Sequence, residues 1–348
     1  MAYASITKPS LHFNTKLWTG TGSNGNAISG VGFAPDLVWV KNRSGTYDHV
    51  LFDRVRGDNK HVESNNNSAE ENEAYTLAFG SDGYSVGTNT LNKSGNNIVG
   101  WNWKANGTGS ANTDGSINTT ATSVNTTAGF SISKYTGTAA TATIGHGLGV
   151  APKMMITKRI SGGNEDWGIY HASIGATKYL KLNATDAEGS SSGVWNNTAP
   201  TNQVFSVGSS SLTNGSGTYI AYCFAEKKGY SKIGSYTGNG STNGTFVYLG
   251  FKPAWVMIKN AGAAEQWRVY DNKRDPFNHM FRCLFPNANN AENTTDNASE
   301  EIDFVSNGIK IRSSAAQLNG NGNTLIYMAF AAEPLVANVG ASIPATAR

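Results

Sequence analysis

The chain has 348 residues, of which 15% are charged and 40 are glycine, and its net charge is +3. So small a positive excess gives no basis for nucleic-acid binding, and two cysteines, Cys223 and Cys283, are too few for a disulfide framework. No apolar run is long enough to cross a bilayer as a helix, and residues 1–5 lack a charged-then-apolar leader, so neither membrane insertion nor secretion is expected.

Residues 1–12 read as an N-terminal anchor segment, followed by a first β unit over 13–104. That unit opens on Lys16-Leu17-Trp18-Thr19-Gly20 and sets Pro35 just before the apolar run Leu37-Val38-Trp39-Val40-Lys41. Both faces of this run are apolar, which predicts a central strand covered on two sides. Next come a strand His49-Val50-Leu51-Phe52-Asp53, an Asn-rich turn at 65–70, a Phe-led strand at 79–86 and a closing strand at 98–103. Short runs of Val, Ile, Tyr, Phe and Trp fenced by Gly, Asn, Pro or Ser are strand punctuation. The Glu-rich stretch 69–78 predicts a single turn or short helix. Residues 105–128, rich in Gly, Asn, Ser and Thr and poor in apolar side chains, predict a flexible linker.

The same phrases then return twice, over 129–228 and 229–334. Pro152 precedes Met154-Met155-Ile156-Thr157-Lys158, and Pro253 precedes Trp255-Val256-Met257-Ile258-Lys259. Trp167-Gly168-Ile169-Tyr170-His171 and Trp267-Arg268-Val269-Tyr270-Asp271 match the strand that ends on Asp53. The prediction is an all-β chain of three tandem β-sandwich-like repeats of about 100 residues, each with one small core. Only residues 226–229 join the second and third units, so these two are expected to pack as a rigid pair. Residues 335–348 read as a C-terminal tail.

No motif for catalysis, cofactor binding or metal binding emerges. Asp53 and Asp271 end strands, where an Asx turn accounts for a carboxylate better than a calcium or sugar ligand does. The acidic clusters Glu70, Glu71, Glu73 and Glu300-Glu301 read as solvated turns rather than the facing pair a glycosidase needs. Lys41, Lys158 and Lys259 recur at strand ends, where the stem covers apolar surface with the ammonium in water. Cys223 and Cys283 read as buried free thiols. Trp39, Trp101, Trp103, Trp167, Trp255 and Trp267 fall in the recurring apolar phrases and are assigned to cores, as is Trp18, which matches Tyr135 and Tyr236. Trp195 alone lies in a unit-specific stretch and is the residue singled out for glycan contact.

These phrases resemble a repeat family found in structural proteins of tailed bacteriophages, particularly phages of marine bacteria. The resemblance rests on Ala2-Tyr3, Thr15-Lys16-Leu17-Trp18-Thr19-Gly20, Pro35-Asp36-Leu37-Val38-Trp39-Val40-Lys41, Leu51-Phe52-Asp53-Arg54-Val55-Arg56-Gly57 and Trp101-Asn102-Trp103-Lys104-Ala105. Gly145-His146-Gly147-Leu148-Gly149-Val150-Ala151-Pro152, Tyr219-Ile220-Ala221-Tyr222-Cys223-Phe224-Ala225 and Tyr327-Met328-Ala329-Phe330-Ala331 extend it over nearly the whole chain. It implies a non-enzymatic virion component (fibre, tail appendage or capsid decoration) at the virion surface, assembled in the host bacterial cytoplasm. Its partners would be other virion proteins and copies of itself, most simply as a trimer. The alternative is a receptor-binding, lectin-like tail protein that contacts host surface glycans. His171 stands where the other two units carry Asp53 and Asp271, which puts a shared acidic role at this position in doubt.

Overall fold

The computed structural model describes residues 4–72 and 74–334. The chain is all-β, with antiparallel sheets joined by short turns. Three large sheets share one order of their first four matching strands. In the first, the opening strand Phe13–Thr19 lies beside the closing strand Asn97–Trp103, which lies beside the proline-led strand Leu37–Asn42 and then His49–Asp53. In the second, Phe130–Gly137, Gly217–Phe224, Met154–Arg159 and Gly168–His171 follow in that sequence. In the third, Ser231–Thr237, Thr324–Pro334, Phe251–Asn260 and Arg268–Asp271 do so. Below, the first, second and third segments are residues 13–104, 105–228 and 229–334.

Each large sheet is covered on one face by a small sheet of its own segment. The small sheets are Asn26–Ser29 with Gly83–Val86 and Leu77–Phe79, Ala142–Gly145 with Val204–Val207, and Phe246–Tyr248 with Gly308–Ile311 and Ile302–Val305. Strand alternation decides which side chains enter these cores. Val38 and Val40 meet Tyr84 and Val86 in the first segment, Met155 meets Phe205 and Val207 in the second, and Val256 and Ile258 meet Ile309 and Ile311 in the third.

The other face of each large sheet points into a single cluster built from all three segments. Trp39, Trp101 and Trp103 of the first join Phe130, Tyr222 and Phe224 of the second and Tyr230, Trp255 and Phe330 of the third. Trp103 packs edge-on against Trp255 at 5.7 Å and against Phe224 at 6.3 Å, while Phe13 stacks on Phe330 at 5.0 Å. Each such pair contributes roughly 0.5–1.5 kcal/mol beyond the area it buries. A separate core for every unit therefore describes only half of the interior, because the Trp-bearing faces converge on a shared one.

Several local expectations change. The stretch 105–128 is not a free linker: Ala121–Asn125 is the edge strand of the second large sheet, and Ser110 and Ile117 form bridges to Thr122 and Ile144. Its few apolar groups are supplemented by polar anchors, for the buried Asp36 carboxylate accepts from Ala105 N at 2.6 Å and Gly107 N at 3.0 Å. No helix forms between 69 and 78 among the described residues, where Glu71–Asn72 is a short strand. Pro253 stands inside the strand Phe251–Asn260 rather than before it, at an irregularity in the register that absorbs its missing N–H. Of the N-terminal segment, residues 4–12 pack onto the molecule, with Ile6 in the shared cluster and Ser5 N donating to Lys228 O. Residues 1–3, Glu73 and the tail 335–348 lie outside the described residues.

Candidate functional site

The densest chemistry lies where the three segments meet, in three seams that use equivalent residues of the recurring phrases. The lysine ending each proline-led strand is fully buried, contrary to the expectation of an ammonium in water. Lys41, like Leu37 and Trp39, follows the alternation toward the interior, so its stem runs into the seam. Its Nζ donates to Asn42 O at 2.7 Å, Gly45 O at 3.2 Å and, in the third segment, Asn289 O at 3.3 Å. Lys158 donates to Glu165 O at 2.6 Å and to Asn67 O of the first segment at 3.0 Å. Lys259 donates to Asn260 O at 2.7 Å, Ala263 O at 3.0 Å and Thr185 O of the second segment at 3.1 Å. The acceptors contributed by the neighbour all come from the Asn-rich turns. Burial pulls each of the three ammonium groups down to about 8.

Two further bonds run around the same ring. Glu70 N donates to Ile160 O, Glu188 N to Ala261 O and Glu292 N to Arg43 O, so each Asn-rich turn leans on the next segment. Trp167 Nε1 donates to Glu63 O and Trp267 Nε1 to Lys181 O, both at 2.9 Å. His49 takes the matching place in the first segment, receives Trp39 Nε1 on its Nδ1 at 3.2 Å and stacks on Trp101. Burial, with Lys41 and Arg274 nearby, holds its pKa well below the usual imidazole value.

The strand-end acids also reach across the seams. Asp53 Oδ1 accepts from Arg56 N at 2.8 Å, the expected Asx turn. Its Oδ2 accepts from Arg56 Nε at 2.5 Å and from Tyr222 OH of the second segment at 2.8 Å. Asp271 repeats this, taking Arg274 N at 2.9 Å, Arg274 Nε at 2.5 Å and Trp101 Nε1 of the first segment at 2.9 Å. Burial works against the charge on Arg56 and Arg274, yet Asp53 and Asp271 beside them raise both guanidinium pKa values. His171 faces the third segment, where Met328 holds the place of Trp101 and Tyr222 and carries no donor. Its Nδ1 accepts from Ser173 N at 3.2 Å, and its Nε2 lies 3.2 Å from Tyr327 O, which makes the Nε2–H tautomer the bonded one. Burial depresses its pKa to about 4, so the ring is neutral at pH 7.

Trp195 is only 1% exposed, packed edge-on against Tyr170 in the core of the second segment, and offers no ring face to a sugar. The short helix Ser192–Trp195 turns the indole inward, which no repeating phrase signalled. Glu300 is also buried, clamped by Arg268 at 2.5 and 3.0 Å, so it is a structural ion-pair partner rather than a solvated turn residue. Glu71 is exposed. Cys223 and Cys283 are buried free thiols, and burial pushes Cys223 up to about 12. Among the described residues, no three His, Cys, Asp or Glu side chains are grouped as metal ligands.

Sequence reasoning missed the exposed aromatics. Phe246 and Tyr248 are 46% and 56% exposed on the outer face of the third small sheet, and Phe277 is 75% exposed nearby in sequence to His279. The signal was present in the alternation of Phe246-Val247-Tyr248, since burying Val247 turns both rings outward.

The fold and seams define an all-β protein of antiparallel sheets whose segments are locked together by buried polar contacts. A family described as a domain of unknown function (DUF7483) matches residues 8–334, and the chain belongs to that family. No curated protein matches it.

Proposed function

We propose that this protein is a non-enzymatic structural component of a bacteriophage virion (fibre, tail appendage or capsid decoration) that works by protein–protein adhesion at the particle surface. The observation that carries the reading is the ring of seams. The buried Lys, Asp and Arg groups are spent on fastening one segment to the next, which suits a rigid building block. The resemblance in the recurring phrases supplies the phage context. The partners on this reading are other virion proteins and further copies of the chain, with a trimer as the first assembly to look for. Because one chain already arranges three segments in a ring, such association would use the outer faces.

Immunogold labelling of purified particles with an antibody to this chain tests the reading. Gold on the capsid, or on the tail and its fibres, supports it; intact particles that carry no label overturn it. A second reading, recognition of host surface glycans, is favoured by the exposed rings of Phe246 and Tyr248.

A further inference from the structure

We propose that residues 335–348 close the ring by laying an extended strand along the bare outer edge of the opening strand Phe13–Thr19. Lys104 N donates to His12 O and Gly20 N to Asn96 O, so His12, Asn14, Lys16 and Trp18 bond to the closing strand of the first segment. Phe13, Thr15, Leu17 and Thr19 therefore turn their amides and carbonyls to the other side. Among the described residues, no hydrogen bond reaches these outward backbone groups. A row of unpaired strand groups is a template for a further strand. This closure does not depend on the virion reading.

The other two segments show what belongs on this edge. In the second, Phe130, Ile132 and Lys134 hold the equivalent outward positions, and Asn125, Ser123 and Ala121 pair with them. That cover comes from 105–128, the stretch that leaves the closing strand of the first segment. In the third, Ser231 N donates to Lys227 O and Ile233 N to Glu226 Oε1, both at 2.9 Å, so the chain leaving the second segment caps that edge. In both cases the exit of one segment covers the opening strand of the next, which leaves the exit of the third segment for the first. The residues before Phe13 go elsewhere: Ser5 N reaches Lys228 O, Ile6 enters the shared cluster and Pro9–Leu11 form a single turn of 3-10 helix. The third exit starts in the right place. Ala331 and Ala332 line a cavity of about 150 Å³ together with Phe13, Asn14 and Thr15, and the Thr15 hydroxyl is buried without a partner. Residue 335 lies three positions beyond Ala332. The 14 residues from 335 to 348 reach at most about 46 Å, against roughly 20 Å for the edge from Phe13 to Thr19. Val336, Val339 and Ile343 give them β-branched side chains suited to a strand.

The test is amide hydrogen exchange of the full chain, resolved at Leu17 and Thr19, with Ile132 under its cover strand as the internal reference. In the parent both amides are expected to be protected to the level of Ile132. Val336→Pro/Val339→Pro removes two strand donors and changes no residue of the three segments. It should speed exchange at Leu17 and Thr19 by roughly tenfold or more and leave Ile132 unchanged. A chain that stops at Pro334 should behave the same way, and a synthetic peptide of residues 335–348 added to it should restore the protection. Fast exchange at Leu17 and Thr19 in the parent overturns the proposal, as does protection that survives removal of 335–348. Protection that falls on dilution of the parent also overturns it, because the covering strand then comes from a second copy.

Discussion

Two of the seams fasten with an aspartate and one with a histidine, and the difference shows what the position is for. Asp53 and Asp271 each hold an arginine three residues on and an O–H or N–H from the neighbouring closing strand. At the third seam the neighbour presents Met328, and Ile174 stands where the other segments have Arg56 and Arg274. A carboxylate there would be buried with neither donor, at a cost of several kcal/mol. The neutral imidazole of His171 instead donates a hydrogen bond from Nε2 to the Tyr327 carbonyl and accepts one at Nδ1 from Ser173 N. What the three positions share is a bond across the seam, not an acid.

The largest effect should come from breaking an aspartate seam. Asp271→Ala leaves the Trp101 indole N–H buried without its acceptor and takes from the Arg274 guanidinium one of its two carboxylates, the other being Glu292 at 2.7 Å, and should cost about 3–4 kcal/mol in denaturant unfolding. The histidine seam should resist conversion: His171→Asp is expected to lose roughly 3 kcal/mol. Adding Ile174→Arg and Met328→Trp, which rebuild the partners used at the Asp271 seam, should recover at least half of that loss. Independent costs that simply add would break the comparison.

Titration separates the histidine and lysine contacts by pH window. His171 binds its proton at about 4 when folded against 6.5 in the unfolded chain. Its neutral contribution is therefore complete above pH 6.5 and is lost as pH falls toward 4, by about 3 kcal/mol in the limit. His171→Gln should show a correspondingly shallower acid loss than the parent, measured as a difference so that the contributions of the other histidines cancel. The lysine cages act in the same sense in a higher pH window. Lys259 sits at about 8 against 10.5 when unfolded, so the unfolded chain binds more protons between those values and stability rises with pH. Lys259→Met leaves the Thr185, Asn260 and Ala263 carbonyls without this donor. It should cost about 2 kcal/mol at pH 7, and the gain from pH 8 to 10 should shrink.

Much of the fold was legible in the chain, since the strand phrases, the order of elements and the two-sided burial of Leu37, Val38, Trp39 and Val40 follow from local alternation. What local patterning does not carry is the partner on the far side. Lys41, Lys158 and Lys259 look like surface lysines until the Asn-rich turns of neighbouring segments close over them. The polar stretch 105–128 looks free until Asp36 is seen to hold it. One long-range signal was readable: His171, Ile174 and Met328 depart together from the residues at the two aspartate seams, as expected of groups that meet in space. Trp195, expected to meet a ligand, is buried, and the exposed Phe246 and Tyr248 went unnoticed, because exposure depends on which way a short element turns, not on aromatic content.

The central claim is that the seams make three segments one cooperative body. Differential scanning calorimetry of the intact chain tests it most directly. The account predicts a single transition whose calorimetric and van't Hoff enthalpies agree, shifted down but still single in Asp271→Ala. Two or three resolved transitions in the wild-type protein, each carrying a fraction of the total enthalpy, would contradict it.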